Sequence, residues 1–222
     1  MRSEKVLRRG FTLIELLVVV AIIGVLTALL VSAMSNTQLP AKTGVAKAEL
    51  AQMESAIGDY RANLGFYPPD NPNDATINPL YYELLGTTNN GLTYVTLDAS
   101  AQISNVGGDI NLKFNRQGFA NSSTKAHSSD EHGAPTSFLN RLTSHQVGQL
   151  PNSQPPIKIL VCSIEWPDAN GAPIPGTVLN PWRYNLSHPI NNPGSYDLWV
   201  DLAIGNKIYR VSNWSKQPQI VP

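Results

Sequence analysis

Hydrophobic positions fall into three regimes along the chain. Over residues 11–33 nearly every position is apolar, and Glu15 is the one charged residue. As a helix at about 1.5 Å per residue, this run reaches roughly 34 Å, against a bilayer hydrocarbon core of about 30 Å. It predicts a membrane-spanning helix. Over residues 41–64 the apolar positions thin to a stripe. Ala46, Leu50, Met53, Ile57, Tyr60 and Leu64 step by four and three, while Lys47, Glu49, Glu54, Asp59 and Arg61 fall on other faces. That spacing predicts an amphipathic helix whose stripe packs on a sheet. Gly65 and Pro68-Pro69 end it. Between the two helical stretches, Pro40 lacks a helical donor and disfavours helix at Leu39, so a kink or short break is expected there.

In the third regime the runs are short and separated by turn residues. Residues 79–86 predict a short helix, with Pro79 at its first turn and Gly86 after its end. Residues 92–97, 110–114, 157–164, 182–186, 196–204 and 207–211 are rich in β-branched and aromatic residues and predict strands. Gly205-Asn206 joins the last two as a two-residue hairpin loop. Phe138, Leu139 and Leu142 suit a short helical turn, and Asn213-Trp214 closes the domain. Residues 119–135 and 148–156 are polar or Pro/Gly-bearing and predict loops. The expected fold class is α+β: a long N-terminal hydrophobic stem helix packed on a small antiparallel β-sheet globular domain.

Composition supports this picture and removes some functions. Charged residues are 14% of 222, with 16 Gly and 17 Pro, a balance suited to a loop-rich β-containing domain. The formal net charge is +0, so no basic excess points to nucleic acid as an obligatory partner. The single cysteine, Cys162, excludes an intrachain disulfide and lies in an apolar run, where it is expected as a core residue.

The segment before the apolar run carries Arg2, Lys5, Arg8 and Arg9 against Glu4. Basic flanks stay cytoplasmic, so the rest of the chain is expected to be exported. The apolar run is too long for an ordinary signal peptide, and no small-residue cleavage site follows it. Instead Gly10 precedes it. A carboxylate inside such a helix is costly in hydrocarbon, so Glu15 calls for a partner.

Arg8-Arg9-Gly10-Phe11-Thr12-Leu13-Ile14-Glu15-Leu16 resembles the cleavage and methylation motif of type IV prepilins and of the pseudopilins of type II secretion. The resemblance implies cutting after Gly10 by a prepilin peptidase, N-methylation of Phe11, and a pairing of Glu15 with the Phe11 amine of a neighbouring subunit. Tyr60, Gly65, Tyr67 and Pro68, then Asn180-Pro181-Trp182 and the late Asn213-Trp214, are similar to the major pseudopilin in particular. Pilin-like proteins usually carry a proline at the place held here by Ser32. Residues 87–165 resemble nothing in that family.

The expected organisation is a leader at 1–10, a transmembrane and filament-core helix at 11–33, the periplasmic half of the stem at 34–64 and a globular domain at 65–222. The expected function is a structural, non-enzymatic subunit of a type II secretion pseudopilus in the inner membrane, single-pass, with a periplasmic C-terminal domain. Its implied partners are copies of itself, the prepilin peptidase, minor pseudopilins, and an inner-membrane assembly platform with its ATPase. The alternative is a type IV or competence pilin for adhesion, motility or DNA uptake.

Calcium is the candidate cofactor, because major pseudopilins often bind it between their last strands. Asp197 and Asp201 stand four apart there, on one face of an extended strand. His127, Asp130, Glu131 and His132 lie in a Ser-rich segment without the scaffold a metal site needs. No nucleophile elbow or phosphate-binding glycine loop occurs. Asn121, Asn185 and Asn213 begin triplets of the N-glycosylation type, which carry little weight in a bacterial-type context.

Overall fold

The computed structural model describes residues 12–124, 134–139, 141–153 and 156–221; residues 29–37 and 107 are described by their backbone alone. Contacts divide the chain into two compact units, Met1–Ala41 and Lys42–Pro222. One helix, α1 (Leu13–Leu64), contributes to both.

The helix is assigned without interruption across Pro40, so the break expected there does not occur. A proline costs a helix one hydrogen bond and a clash at the preceding turn, but helical residues on both sides hold the conformation here. In the first unit the described side chains of the apolar run, from Leu13 to Leu26, are solvent-exposed. The Thr27 hydroxyl is satisfied within the helix, donating to the carbonyl of Ile23 at 2.6 Å. Among the described residues no helix is long and apolar enough to cross a membrane. The described side chains of the run end at Ala28, before its last apolar residues.

In the second unit the stripe of α1 forms one wall of the core. Ala46, Leu50, Met53, Ile57 and Tyr60 are buried, as the spacing predicts, and Leu64 packs partly against them. Next comes α2 (Leu80–Leu85), a single short helix whose six residues are all buried. Pro79 stands before it and Gly86 after it, both as expected. Gly86 is required: its φ is +68°, and a Cβ there would lie 2.9 Å from the carbonyl oxygen of Thr136.

The strands are β1 (Thr87–Asn89), β2 (Thr93–Thr96), β3 (Gln102–Ser104), β4 (Ser122–Thr124), β5 (Val147–Gln149), β6 (Lys158–Leu160), β7 (Arg183–Asn185), β8 (Asp197–Ile204), β9 (Lys207–Ser212) and β10 (Ser215–Val221). They form one sheet in the order β3-β2-β1-β4, a second in the order β10-β9-β8-β7, and the pair β5-β6. All pairings are antiparallel except β1 with β4. Stem helix and largely antiparallel sheets together make the pilin-like α+β fold.

The second sheet is the best-formed part. Ile204 pairs with Lys207 across Gly205-Asn206, the expected two-residue loop, and Gly205 has φ +62°. Leu198, Val200, Leu202 and Val211 are buried, which puts one face of this sheet in the core. Trp182 and Tyr184 at β7 are almost wholly enclosed.

Three local expectations are corrected. Residues 110–114 are not a strand but belong to α3 (Asp109–Phe114). Ile110 and Phe114 are buried one helical turn apart while Leu112 is 76% exposed, which is a helical pattern of burial. Phe138, Leu139 and Leu142 lie in irregular structure, and a one-turn 3-10 helix follows at Ser144–Gln146. The domain does not close at Asn213-Trp214: these form a second tight turn, and the backbone returns as β10. That strand is mostly polar and contains Pro218, which an edge strand with an irregular register accepts.

Candidate processing and assembly site

Thr12 and Glu15 bracket the first turn of α1. The Thr12 hydroxyl donates to Glu15 Oε2 at 2.7 Å, and the Thr12 backbone N–H donates to the same oxygen at 2.9 Å. In return the Glu15 N–H donates to the Thr12 hydroxyl at 3.3 Å. This reciprocal arrangement is a capping box, with Thr12 as the cap and Glu15 three residues on. It satisfies orphan N–H groups, and it places a carboxylate where the helix dipole favours negative charge. The partner that Glu15 needs is therefore first supplied by its own helix end. The Thr-x-x-Glu signature for it is present in the sequence. The expected cleavage and methylation positions, Gly10 and Phe11, lie outside the described residues, directly before this cap.

Buried carboxylates tie the domain together, and sequence reasoning missed their role. Glu49, expected on the polar side of the stem, is only 8% exposed. It accepts from the Ser163 N–H at 3.2 Å and from the Ser163 hydroxyl. One turn beyond the middle of the stripe, Tyr60 donates its hydroxyl to Glu83 Oε2 at 2.9 Å. Glu83 is fully buried on α2. It also accepts from the N–H groups of Ala120 at 2.9 Å and Asn121 at 3.0 Å. Burial pushes its carboxyl above the ordinary glutamate range, and these three donors pull part of the way back. The Asn121 amide then donates to the carbonyls of Glu83 and Thr136, both at 2.7 Å. Stem, short helix and the loop before β4 thus meet at one polar node, and the Tyr60 ring beside it packs on Phe66 and Phe138.

Asp70, after the stem, accepts from the N–H groups of Leu186 and Ser187, both at 2.8 Å, and so holds the turn after β7. Tyr184 donates its hydroxyl to the carbonyl of Pro68 at 2.8 Å. Tyr67 carries the Arg61 guanidinium 4.4 Å above its ring and accepts from it at 2.6 Å. The exit from the stem is fastened on both sides.

The two aspartates proposed for calcium have different partners. Asp197 accepts from the backbone N–H groups of Ile190, Asn191 and Asn192 at 2.8–2.9 Å, closing the loop that precedes β8. Asp201 takes the Arg210 guanidinium in a two-pronged pair at 2.7 and 2.9 Å, with Arg183 at 3.9 Å. N–H donors and guanidinium cations fill the places where a calcium ion needs oxygen ligands. Among the described residues no group of three or more acidic, His or Cys side chains could hold a metal. His127, Asp130, Glu131 and His132 lie outside the described residues.

Cys162 is a core residue, and burial pushes its thiol well above the ordinary value. Asn185 and Asn213 both spend their amides on backbone groups nearby, as Asn121 does.

The family described as the prokaryotic N-terminal methylation motif matches residues 7–31, a stretch that includes the cap and Glu15. The type IV major pilin protein PilE1 of Neisseria gonorrhoeae is 38% identical over 66 residues, 30% of this chain and 31% of the relative. A type IV major pilin protein PilE of the same organism is 38% identical over 65 residues, 29% of this chain and 39% of the relative. The chain thus spans about a third of the length of the relatives it matches. No solved structure matches. The protein has the N-terminal methylation motif of prokaryotes and is similar to type IV major pilins.

Proposed function

We propose that this protein is a structural subunit of a helical filament, with no catalytic role. It is made as a single-pass inner-membrane protein with its C-terminal domain in the periplasm. Residues 1–10 are the leader, 11–33 the span and later filament core, 34–64 the periplasmic half of the stem, and 65–222 the globular domain. The observation that carries this is the methylation-motif match over residues 7–31, laid on a helix whose first turn presents Glu15.

A prepilin peptidase cuts the bond after Gly10 and frees the amine of Phe11, which is then methylated. Before that cut, Glu15 is held by the neutral donors of Thr12. The new ammonium group is a stronger partner, because it adds charge–charge attraction to the hydrogen bond, and that attraction grows as the dielectric falls. In a filament core of low dielectric, the Phe11 amine of a neighbour and Glu15 neutralise each other and fix the axial register between subunits. Each subunit then offers two different surfaces, so growth is head-to-tail and does not close. Copies of the protein assemble with minor pseudopilins on an inner-membrane platform driven by its ATPase.

Within this class, the type II secretion pseudopilus is our first reading. It rests on the likeness of Asn180-Pro181-Trp182 and of the stem exit to the major pseudopilin. Both are structurally committed: Trp182 is fully buried, and the Asn180 amide donates to the carbonyl of Asp201 at 2.8 Å. A type IV pilus is the second reading, favoured by the relatives, which are type IV major pilins. Deleting the gene separates them: the first reading predicts lost protein export, the second lost surface filaments with export intact. The shared claim is tested by Glu15→Ala. Filaments seen by electron microscopy are expected to disappear while the melting of the Lys42–Pro222 unit stays unchanged; normal filaments from the variant would overturn the register role.

A further inference from the structure

Two Asn-Gly pairs occur in the sequence, Asn90-Gly91 and Asn170-Gly171. This dipeptide is chemically labile. The glycine backbone nitrogen attacks the asparagine Cγ and bonds to it. The bond from Cγ to the amide nitrogen Nδ2 breaks, and ammonia leaves carrying the glycine nitrogen's proton. Water then opens the resulting succinimide at either carbonyl, giving aspartate or isoaspartate. Glycine permits the attack because it has no Cβ in the way. The step needs a mobile asparagine side chain and a glycine N–H that is free to lose its proton.

The two sites differ on both counts. Asn90 is locked: its Oδ1 accepts from the N–H groups of Leu92 at 3.0 Å and Thr93 at 2.8 Å. Those bonds polarise the amide carbonyl, but the nucleophile beside it is committed, since the Gly91 N–H donates to Asn89 Oδ1 at 2.7 Å. At Asn170 the residue is exposed, and among the described residues its side-chain amide has no hydrogen-bond partner. Its backbone N–H donates to Asp168 Oδ1 at 3.0 Å, which holds the turn but leaves the side chain free. The Gly171 N–H makes only a long 3.3 Å bond to the carbonyl of Asp168.

From this contrast we infer that Asn170 is a site of spontaneous deamidation in the folded protein and that Asn90 is protected. The product places a new carboxylate beside exposed Asp168, and isoaspartate lengthens the backbone of the turn. Local geometry alone supports this, independently of the filament reading.

The test is incubation of the purified full-length protein in mildly alkaline buffer, followed by peptide mapping of isoaspartate and amide loss. Conversion is expected in the peptide containing Asn170, with the Asn90 peptide retained as amide. In denaturant the two sites should convert at comparable rates. Gly171→Ala should slow the conversion at least several-fold without disturbing the fold, because an added Cβ hinders the attack yet meets nothing nearer than Trp166 Nε1 at 3.6 Å. Faster conversion at Asn90 in the folded protein would overturn the inference. So would an intact Asn170, a preference unchanged by denaturant, or a Gly171→Ala variant that converts like the parent.

Discussion

Replacing Tyr60 by Phe removes one hydroxyl and leaves the ring, so it isolates a single bond in the node that joins the stem to the domain. That hydroxyl donates to Glu83 at 2.9 Å, and both residues are fully buried. The Tyr60 ring packs against Phe66 and Phe138, with centroids 5.9 and 5.4 Å away, so the ring that Tyr60→Phe leaves behind keeps its neighbours. A hydrogen bond to a charged group contributes about 1.5–3 kcal/mol and a neutral one about 0.5–1.5 kcal/mol. The penalty therefore depends on the proton on Glu83. With the carboxylate ionised the loss is about 2 kcal/mol, and with it protonated about 1 kcal/mol. For a unit of this size each kcal/mol moves the melting temperature by about 2–4 °C, so the shifts are about 4–8 °C and about 2–4 °C. The assay is thermal melting of the Lys42–Pro222 unit, parent against Tyr60→Phe, from below pH 4.5, the ordinary glutamate value, into the mildly alkaline range. The difference should step up as Glu83 ionises. A difference that is flat across the whole range, or no difference at all, would refute the role given to this bond.

The same node makes a prediction of opposite form for Glu83→Gln. Burial raises the folded-state pKa of Glu83 above its unfolded value of 4.5, so the folded protein holds this proton more tightly. Its contribution to stability is fully present below 4.5 and is lost as pH rises through the folded value. Glu83→Gln should therefore gain stability relative to the parent as pH rises, read from paired denaturant titrations; a relative loss would contradict the sign. Ile57→Ala on the fully buried stripe of α1 should cost about 2–4 kcal/mol through the cavity it leaves. Urea unfolding of the same unit measures this, and a cost below about 1 kcal/mol would mean that the stem does not form the core wall described.

What was legible in the sequence was what local chemistry alone decides. The stripe from Ala46 to Tyr60 is read from its period, and it packs as that period requires. The Gly205-Asn206 loop is read from backbone preference, and it joins its two strands with Ile204 opposite Lys207. What was not legible depends on distant partners. Glu49 and Glu83 look like surface carboxylates until Ser163 and the Ala120–Asn121 backbone arrive from remote positions. The run Ile110–Phe114 is too short for period to separate helix from strand, and the buried Ile110 and Phe114 decide it. β10 is hidden by its polar residues and Pro218, and its pairing with β9 makes it a strand. At the processing site the Thr-x-x-Glu signature of the cap stands in plain sequence. The cost of a charge in an apolar run masks it, because that cost points to an outside partner instead of the helix end that accommodates Glu15.

Everything proposed for the filament depends on one covalent event, a cut after Gly10 that creates an amine at Phe11 for Glu15 to meet. Mass spectrometry of the N-terminal peptide, from the protein isolated with its native membrane fraction, reads that event without an intermediate step. The expected result is a peptide beginning at Phe11 that carries one added methyl group on its amine. A protein that keeps residues 1–10, or that begins elsewhere, would contradict it.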